Sequence, residues 1–375
     1  MSMTLQEEFA KGLEGVVAGT TSICTINPEN ESLLYRGYAA PELAEAVTFE
    51  EVIHLLLEGR LPKKRELKRV SKTLIQQRKL DKRLLKVLKT IPQESNTMDI
   101  LRTTTSFLGN LAEDKVFTVE ETKQIAYELI AKLPFALLSW YHLTKKSKLP
   151  KISKNITHAG RILQLINGKE PDAVEEKVMN ASFILYAEHE LNASTFAARV
   201  TTSTQSCIYS AICSAIGTLK GPLHGGATEE AIELILKFKT PQEAETGILQ
   251  MLAEKKKIMG FGHRVYKKGD SRAYVMKTYA RELAEKRGKQ TYYEIADKIE
   301  KTVRENKGIF PNVDFYTALT YYILDIPKVL FTPLFCLSRL TGWSAHILEQ
   351  QMDNRLIRPR AIYQGPQQRD ITDRR

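Results

Sequence analysis

The sequence predicts an all-α protein with one small N-terminal β-hairpin. Three observations carry that reading: apolar residues recur at helical spacing along most of the chain, strand-like alternation is confined to residues 22–37, and the breaks between periodic segments are short and rich in Pro, Gly or Asn. With 375 residues, 43% hydrophobic and 26% charged, the chain can bury a sizeable core as one large helical domain or as two domains. No repeat period or long low-complexity linker divides it, so a second domain would be inserted into the first without a flexible tether.

In order along the chain, a short N-terminal helix is expected, then residues 12–17 lead into Ser22-Ile23-Cys24-Thr25-Ile26. The turn Asn27-Pro28-Glu29-Asn30 and the stretch Ser32-Leu33-Leu34-Tyr35-Arg36-Gly37 complete the hairpin pattern. Helical periodicity covers 52–57, 100–111, the long 119–143, 161–166 and 173–185, with breaks such as Leu61-Pro62 and Gly168-Lys169-Glu170-Pro171. Residues 331–347 form a strongly apolar helical stretch that should be buried.

Charge and cysteine usage exclude several classes. Residues 63–89 hold twelve Lys and Arg against Glu66 and Asp81, a net of +10 out of +11 for the whole chain. Leu67, Val70 and Leu74, then Leu80, Leu84 and Leu88, keep a helical stripe through this segment, so a solvated amphipathic helix pair accounts for it. It lacks interleaved aromatics and any nucleic-acid motif; a non-catalytic basic binding protein for nucleic acid or membrane is the competing class, and distributed charge that attracts a small anion is a third. The first ten residues carry two glutamates and no apolar h-region, and no segment is apolar for long enough to cross a bilayer, so a cytoplasmic location is expected. Cys24, Cys207, Cys213 and Cys336 are widely spaced with no C-x-x-C, which indicates neither a disulfide framework nor a zinc ribbon.

Four stretches carry candidate chemistry. Gly221-Pro222-Leu223-His224-Gly225-Gly226 runs into a helical pattern over 227–238, which sets His224 at the lip of a helix whose dipole disfavours an imidazolium. A neutral histidine N–H can hydrogen-bond a carbonyl oxygen as negative charge builds on it; a capping histidine in a tight turn is the simpler alternative. In Tyr186-Ala187-Glu188-His189-Glu190-Leu191-Asn192-Ala193-Ser194-Thr195-Phe196, a metalloprotease would need a histidine at Ala193 and a zinc deaminase a later Pro-Cys-x-x-Cys, so no metal is expected. His189, Asn192 and Ser194 could instead donate to an oxygen-rich ligand, or Asn192 and Ser194 could simply satisfy a helix end.

Gly260-Phe261-Gly262-His263-Arg264-Val265-Tyr266-Lys267-Lys268 lacks the third glycine of a dinucleotide fingerprint, where Val265 stands, and is no Walker loop. Its glycines could let backbone approach a flat ligand group while His263 and the lysines face anionic oxygens; an exposed basic loop is the alternative. Asp270 and Arg272 open the next helix. Phe310-Pro311-Asn312-Val313-Asp314-Phe315-Tyr316 sets one carboxylate among apolar groups, which should raise its pKa and suit it as a base, with a helix N-cap as the alternative. Arg339 lies in the buried C-terminal stretch and Arg358 in the polar tail after it; fork-shaped guanidinium groups near a core fit carboxylates, or a helix–helix interface.

This set, in this order, resembles the citrate synthase family. The match spans essentially the whole chain: Gly12-Leu13-Glu14-Gly15-Val16, Tyr35-Arg36-Gly37, Glu188-His189-Glu190, Asn192-Ala193-Ser194, Gly221-Pro222-Leu223-His224-Gly225-Gly226, Gly260-Phe261-Gly262-His263 and Pro311-Asn312-Val313-Asp314. The resemblance implies a mostly α homodimer with a large domain from residues 1–224 and 328–375, a small domain inserted at 225–327, and a cleft that closes in turnover. It implies that Asp314 takes a proton from the carbon beside an acyl-coenzyme A thioester while neutral His224 holds the enol or enolate. His263 would polarise the ketone of oxaloacetate and donate a proton as the carbon–carbon bond forms, before water cleaves the thioester. His189, Arg272 and Arg339 would bind oxaloacetate, with Arg358 reaching in from the partner subunit. Ile258, Met259, Gly260, Phe261, Gly262 and Lys267 correspond to the coenzyme A region. Acyl-coenzyme A is a co-substrate, and no separate cofactor is implied.

One departure bears on the acyl donor. Many citrate synthases have a histidine three residues before the ligand histidine, whereas this chain has Tyr186, a pattern similar to 2-methylcitrate synthases. That favours propionyl-coenzyme A over acetyl-coenzyme A, although Arg264 is common in ordinary citrate synthases where some methylcitrate enzymes have proline. One methylene is worth only about 1 to 3 kcal/mol in an apolar pocket, so use of both thioesters is expected.

Overall fold

The computed structural model describes residues 10–27, 31–153, 156–263, 266 and 269–370. Near its start, β1 (Cys24–Ile26) pairs antiparallel with β2 (Leu33–Tyr35), Cys24 facing Tyr35. The expected hairpin is therefore present, while the centre of its turn and the expected first helix at residues 1–9 lie outside the described residues. A third strand, β3 (Tyr38–Ala39), was not expected; it pairs with β2 across Arg36 and Gly37, both at positive φ (48° and 89°), as a two-residue hairpin turn requires.

The remaining elements are helical. They run α1 (Ala40–Ala46), α2 (Phe49–Glu58), α3 (Lys64–Gln77), α4 (Lys82–Thr90), α5 (Thr97–Leu111), α6 (Val119–Thr144), α7 (His158–Asn167) and α8 (Ala173–Tyr186). Then follow α9 (Ala193–Ser203), α10 (Ile208–Leu219), α11 (Ala227–Leu236), α12 (Pro241–Ala253), α13 (Ser271–Lys286), α14 (Gln290–Lys307), α15 (Val313–Ile323) and α16 (Phe331–Met352). Polar residues start many of them: Thr48 and Glu51 form a capping box on α2, Thr118 and Glu121 another on α6, and Asp172 and Glu175 a third on α8. Gly59 and Gly168 end α2 and α7 in the left-handed conformation that glycine adopts at little steric cost.

α16 is buried on nearly every face and packs against α9, α6, α10, α2 and α8, as an all-round apolar helix must. The basic segment forms α3 and α4, which bury Val70, Leu74, Leu84 and Leu88 and pack on α6. Its charge is thus a face of an amphipathic pair. Helices α11 to α15 pack chiefly on one another, through α13 with α15, α12 with α14 and α11 with α15, and meet the rest through α8, α1 and α16. The four cysteines are free thiols, with Cys24 and Cys336 buried. Among the described residues, no helix is long and apolar enough to cross a membrane.

Candidate active site

Asp314 is the second residue of α15. Asn312 caps that helix, its side chain accepting the Asp314 amide at 3.1 Å, so the Asp314 carboxylate is free of capping duty. Its Oδ1 accepts the Tyr186 hydroxyl at 2.6 Å and the Thr228 hydroxyl at 3.2 Å. Among the described residues, Oδ2 receives no hydrogen bond. Burial raises the Asp314 pKa, while the Tyr186 hydroxyl, Arg272 and Thr228 pull it back. Tyr186, 1% exposed at the end of α8, is held by tilted stacking on Phe335 with ring centroids 4.6 Å apart.

His224 sits in the turn before α11, but the amide aimed at its ring belongs to a different helix from the one expected. Ser194, in the first turn of α9, donates its backbone N–H to Nε2 at 3.3 Å, and Ser194 Oγ is 2.8 Å from the same nitrogen. An amide can only donate, so Nε2 accepts and the neutral ring carries its proton on Nδ1. The Trp343 indole N–H donates to Ser194 Oγ at 3.1 Å, fixing the serine from beneath. Asn192 caps α9 by accepting the Thr195 amide at 3.1 Å. Burial, then the charge of Arg339, pushes the His224 pKa down to about 4. The ring is accordingly neutral at ordinary pH.

A second cluster gathers His189, His263, Tyr266, Arg272 and Arg339. The His189 and His263 rings lie 5.0 Å apart, and the Tyr266 ring lies 4.5 Å from His263. Tyr266 Oη is 3.1 Å from His189 Nε2, and the Tyr266 amide donates to His263 Nδ1 at 3.4 Å, which assigns the proton of a neutral His263 to Nε2. Burial lowers the His189 pKa, helped by the charges of Arg272, His263 and Arg339. Arg272 forks onto Asp270 through Nε (2.9 Å) and Nη2 (2.8 Å), while Asp270 also accepts the Val313 amide at 3.0 Å. One carboxylate therefore joins the starts of α13 and α15. Arg339, 2% exposed, donates Nε to the Tyr186 carbonyl at 2.7 Å and lies 4.7 Å from the Phe335 ring.

These two clusters share one region. Arg339 touches Tyr186, which touches Asp314, and its charge acts on both His224 and His189. Gly262, His263, Tyr266, Asp270 and Phe310 line a cavity of about 230 Å³ beside them. The glycine stretch approaches the start of α15: Gly262 donates its amide to the Phe310 carbonyl, and Gly260 accepts the Asn312 amide, both at 2.9 Å. Gly260 needs its bare Cα, because φ is +81° and a Cβ would lie 2.8 Å from the Phe315 ring. Ile258 is buried, Met259 and Phe261 are half-buried, and Lys267 and Arg264 lie outside the described residues. Arg358 lies exposed in the extended tail after α16, and among the described residues it meets none of the others.

Three contributors had no role legible in the sequence, although Tyr266 stands in one of the candidate stretches. Thr228 reaches Asp314 from the first turn of α11, Trp343 supports Ser194 from α16, and Tyr266 joins the two histidine rings. Their partners lie between 3 and 149 residues away in sequence, and no spacing rule connects them. The arrangement links a partly buried carboxylate, neutral imidazoles and buried guanidinium groups through Tyr186 and Arg339, and His263 and Tyr266 line the cavity beside them. Such a set can take a proton from carbon, stabilise the resulting oxyanion by hydrogen bonds and hold a small polyanion.

Comparison with known proteins gives the family. The family described as citrate synthase, C-terminal domain, matches residues 12–360. The 2-methylcitrate synthase of Shewanella oneidensis is 42% identical over 361 residues, covering 96% of this chain and 96% of its own length. Citrate synthase 2 of Bacillus subtilis is 43% identical over 358 residues, covering 95% of this chain and 96% of its own. A solved structure of citrate synthase from Thermoplasma acidophilum, a ternary complex with carboxymethyl coenzyme A and oxaloacetate, superposes with a TM-score of 0.89 at 34% identity, covering 98% of this chain and 100% of that one. The helical architecture, the small N-terminal sheet and these matches along nearly the full length place the chain in the citrate synthase family, as an acyltransferase of the kind that condenses an acyl-coenzyme A with oxaloacetate.

Proposed function

We propose that the protein condenses propionyl-coenzyme A with oxaloacetate and water to give 2-methylcitrate and coenzyme A, and that it also accepts acetyl-coenzyme A. The observation that carries this reading is the Tyr186 phenol seated on Asp314 Oδ1 at 2.6 Å. A buried phenol gives the acyl end a neutral, largely apolar wall, and it orients the base without adding a second titrating imidazole. The Shewanella oneidensis relative named 2-methylcitrate synthase supports the choice, and the 43% identical citrate synthase 2 supports acetyl-coenzyme A as the second reading.

In this mechanism Asp314 takes the α-proton of the thioester through Oδ2, the oxygen left open by Tyr186 and Thr228. His224 donates its Nδ1–H to the thioester oxygen, and its depressed pKa keeps it a neutral donor that stabilises the enol without releasing a full proton. His263 donates from Nε2 to the ketone oxygen of oxaloacetate as the new bond forms. His189, Arg272 and Arg339 bind the keto acid, with Arg358 supplied by the partner subunit of a homodimer. Residues 258–262 and Lys267 hold the coenzyme A moiety, and residues 225–327 act as the smaller domain that closes on it.

The test is coenzyme A release with oxaloacetate and each thioester in turn. A higher kcat/KM for propionyl-coenzyme A is expected, and a clearly higher value for acetyl-coenzyme A would overturn the donor assignment. In the same assay Asp314→Asn should lower turnover by about 10²- to 10⁴-fold while oxaloacetate still binds. Near-normal turnover in that variant would remove the mechanism itself.

A further inference from the structure

Beneath the oxaloacetate cluster runs a row of buried charges that the reaction above does not use. Glu188 and His346 are both 0% exposed, with His346 Nε2 3.0 Å from Glu188 Oε1. On the other side of the ring, Arg199 Nη1 is 3.1 Å from Nδ1. An arginine only donates, so Nδ1 accepts, the ring is neutral, and Nε2–H donates to Glu188. Arg199 is itself fixed, giving Nη1 to Glu349 Oε2 at 2.7 Å and Nε to Gln350 Oε1 at 3.1 Å. Glu349 Oε1 in turn accepts the Ser22 amide at 2.8 Å and the Ser22 hydroxyl at 2.9 Å. The far end of the row is therefore anchored.

At the near end, the Glu188 carboxylate lies across α16 at Gly342, where a Cβ would come within 2.0 Å of Oε2. Arg339 and His346 are seven residues apart on α16, about two turns, so both lie on the helix face that Glu188 crosses. The carboxylate thus sits between a guanidinium and an imidazole, yet its hydrogen bond goes to the imidazole; Oε2 is buried and accepts none. Arg339 uses Nε on the Tyr186 carbonyl, and among the described residues its terminal nitrogens make no hydrogen bond. A carboxylate released beside such a group would fork onto it, because the bidentate pair is the strongest arrangement open to both.

We infer that His346 is a positioning residue for oxaloacetate: by holding Glu188 through Nε2–H, it prevents a direct Arg339–Glu188 ion pair and leaves the Arg339 guanidinium free for a substrate carboxylate. This rests on the reading of Arg339 as an oxaloacetate ligand. His346 touches no reacting atom, so its effect belongs in the binding of the keto acid and not in the chemical step.

The experiment is calorimetric titration of the full-length protein with oxaloacetate, with kcat and KM measured on the same preparations. His346→Phe should raise the Kd and KM for oxaloacetate about 10- to 100-fold and leave kcat at saturation nearly unchanged. His346→Gln, whose amide can accept from Arg199 and donate to Glu188, should recover most of that loss. Adding Glu188→Gln to His346→Phe should also recover it, because a neutral amide does not capture Arg339; a purely structural defect would deepen instead. If His346→Phe does not fold, His346→Asn, too short to span both partners, serves in its place. The role is overturned if His346→Phe, or His346→Asn in its place, binds within about two-fold of the parent, a difference below the energy of one hydrogen bond, or if adding Glu188→Gln recovers nothing. Arg339→Gln separates the two levels: unchanged oxaloacetate binding removes the ligand reading and this role together, whereas weakened binding without recovery in the double variant removes this role alone.

Discussion

Tyr186 donates its hydroxyl to Asp314 across 128 residues of sequence, at 2.6 Å, between the end of α8 and the first turn of α15. The bond favours the ionised carboxylate and opposes the burial that raises its pKa. Tyr186→Phe removes it while keeping the ring. The Asp314 pKa should therefore rise further, and the acid limb of the kcat–pH profile, where the base becomes protonated and turnover is lost, should move to higher pH. An unmoved limb would show that another group controls it.

Gly342 is required by contact and not by backbone conformation. A Cβ there would lie 2.0 Å from Glu188 Oε2 and 2.4 Å from the Ala187 carbonyl oxygen, inside a helix that is buried on both sides. Gly342→Ala should accordingly lose the propensity it would gain on an exposed helix and destabilise the fold by about 1–3 kcal/mol. Urea unfolding checks this; a midpoint equal to or above the parent's would contradict it.

His158 links stability to pH. It stacks on Phe49 with ring centroids 6.3 Å apart, and burial, with Arg161 beside it, pushes its pKa down to about 3. In the unfolded chain the same group titrates near about 6.5. The folded pKa is depressed, so the neutral ring's contribution is intact above about pH 6.5 and is lost as pH falls toward 3, at up to about 1.4 kcal/mol per unit. His158→Phe should flatten the fall of unfolding free energy between about pH 6.5 and 4. Parallel slopes for variant and parent would rule out this source.

What the sequence made legible follows from how far each signal reaches. The hairpin was readable because alternation flanks a Pro/Asn turn, whereas the third strand is two residues long and depends on the dihedral angles of Arg36 and Gly37. α16 was readable as buried because its apolar residues leave no polar face. Around His224 the reading reached only the adjoining helix α11; the donor that meets the ring, the Ser194 amide, lies 30 residues away, and only tertiary packing brings it there. Asn312 and Asp314 are both good capping types two positions apart, and the choice between them depends on where the first helical turn closes. Arg199 and His346 follow no motif, since they meet across the packed faces of α9 and α16, and the motif that holds Glu188 gives no sign that its carboxylate pairs with His346 from the segment between α8 and α9.

Asp270 binds Arg272 on one side and the first amide of α15 on the other. Its single side chain acts as a rivet between the strut carrying a guanidinium and the strut carrying Asp314. A tilt of either strut is passed to the other, so the distance between Arg272 and Asp314 is set by a third residue that ties both of their helices together.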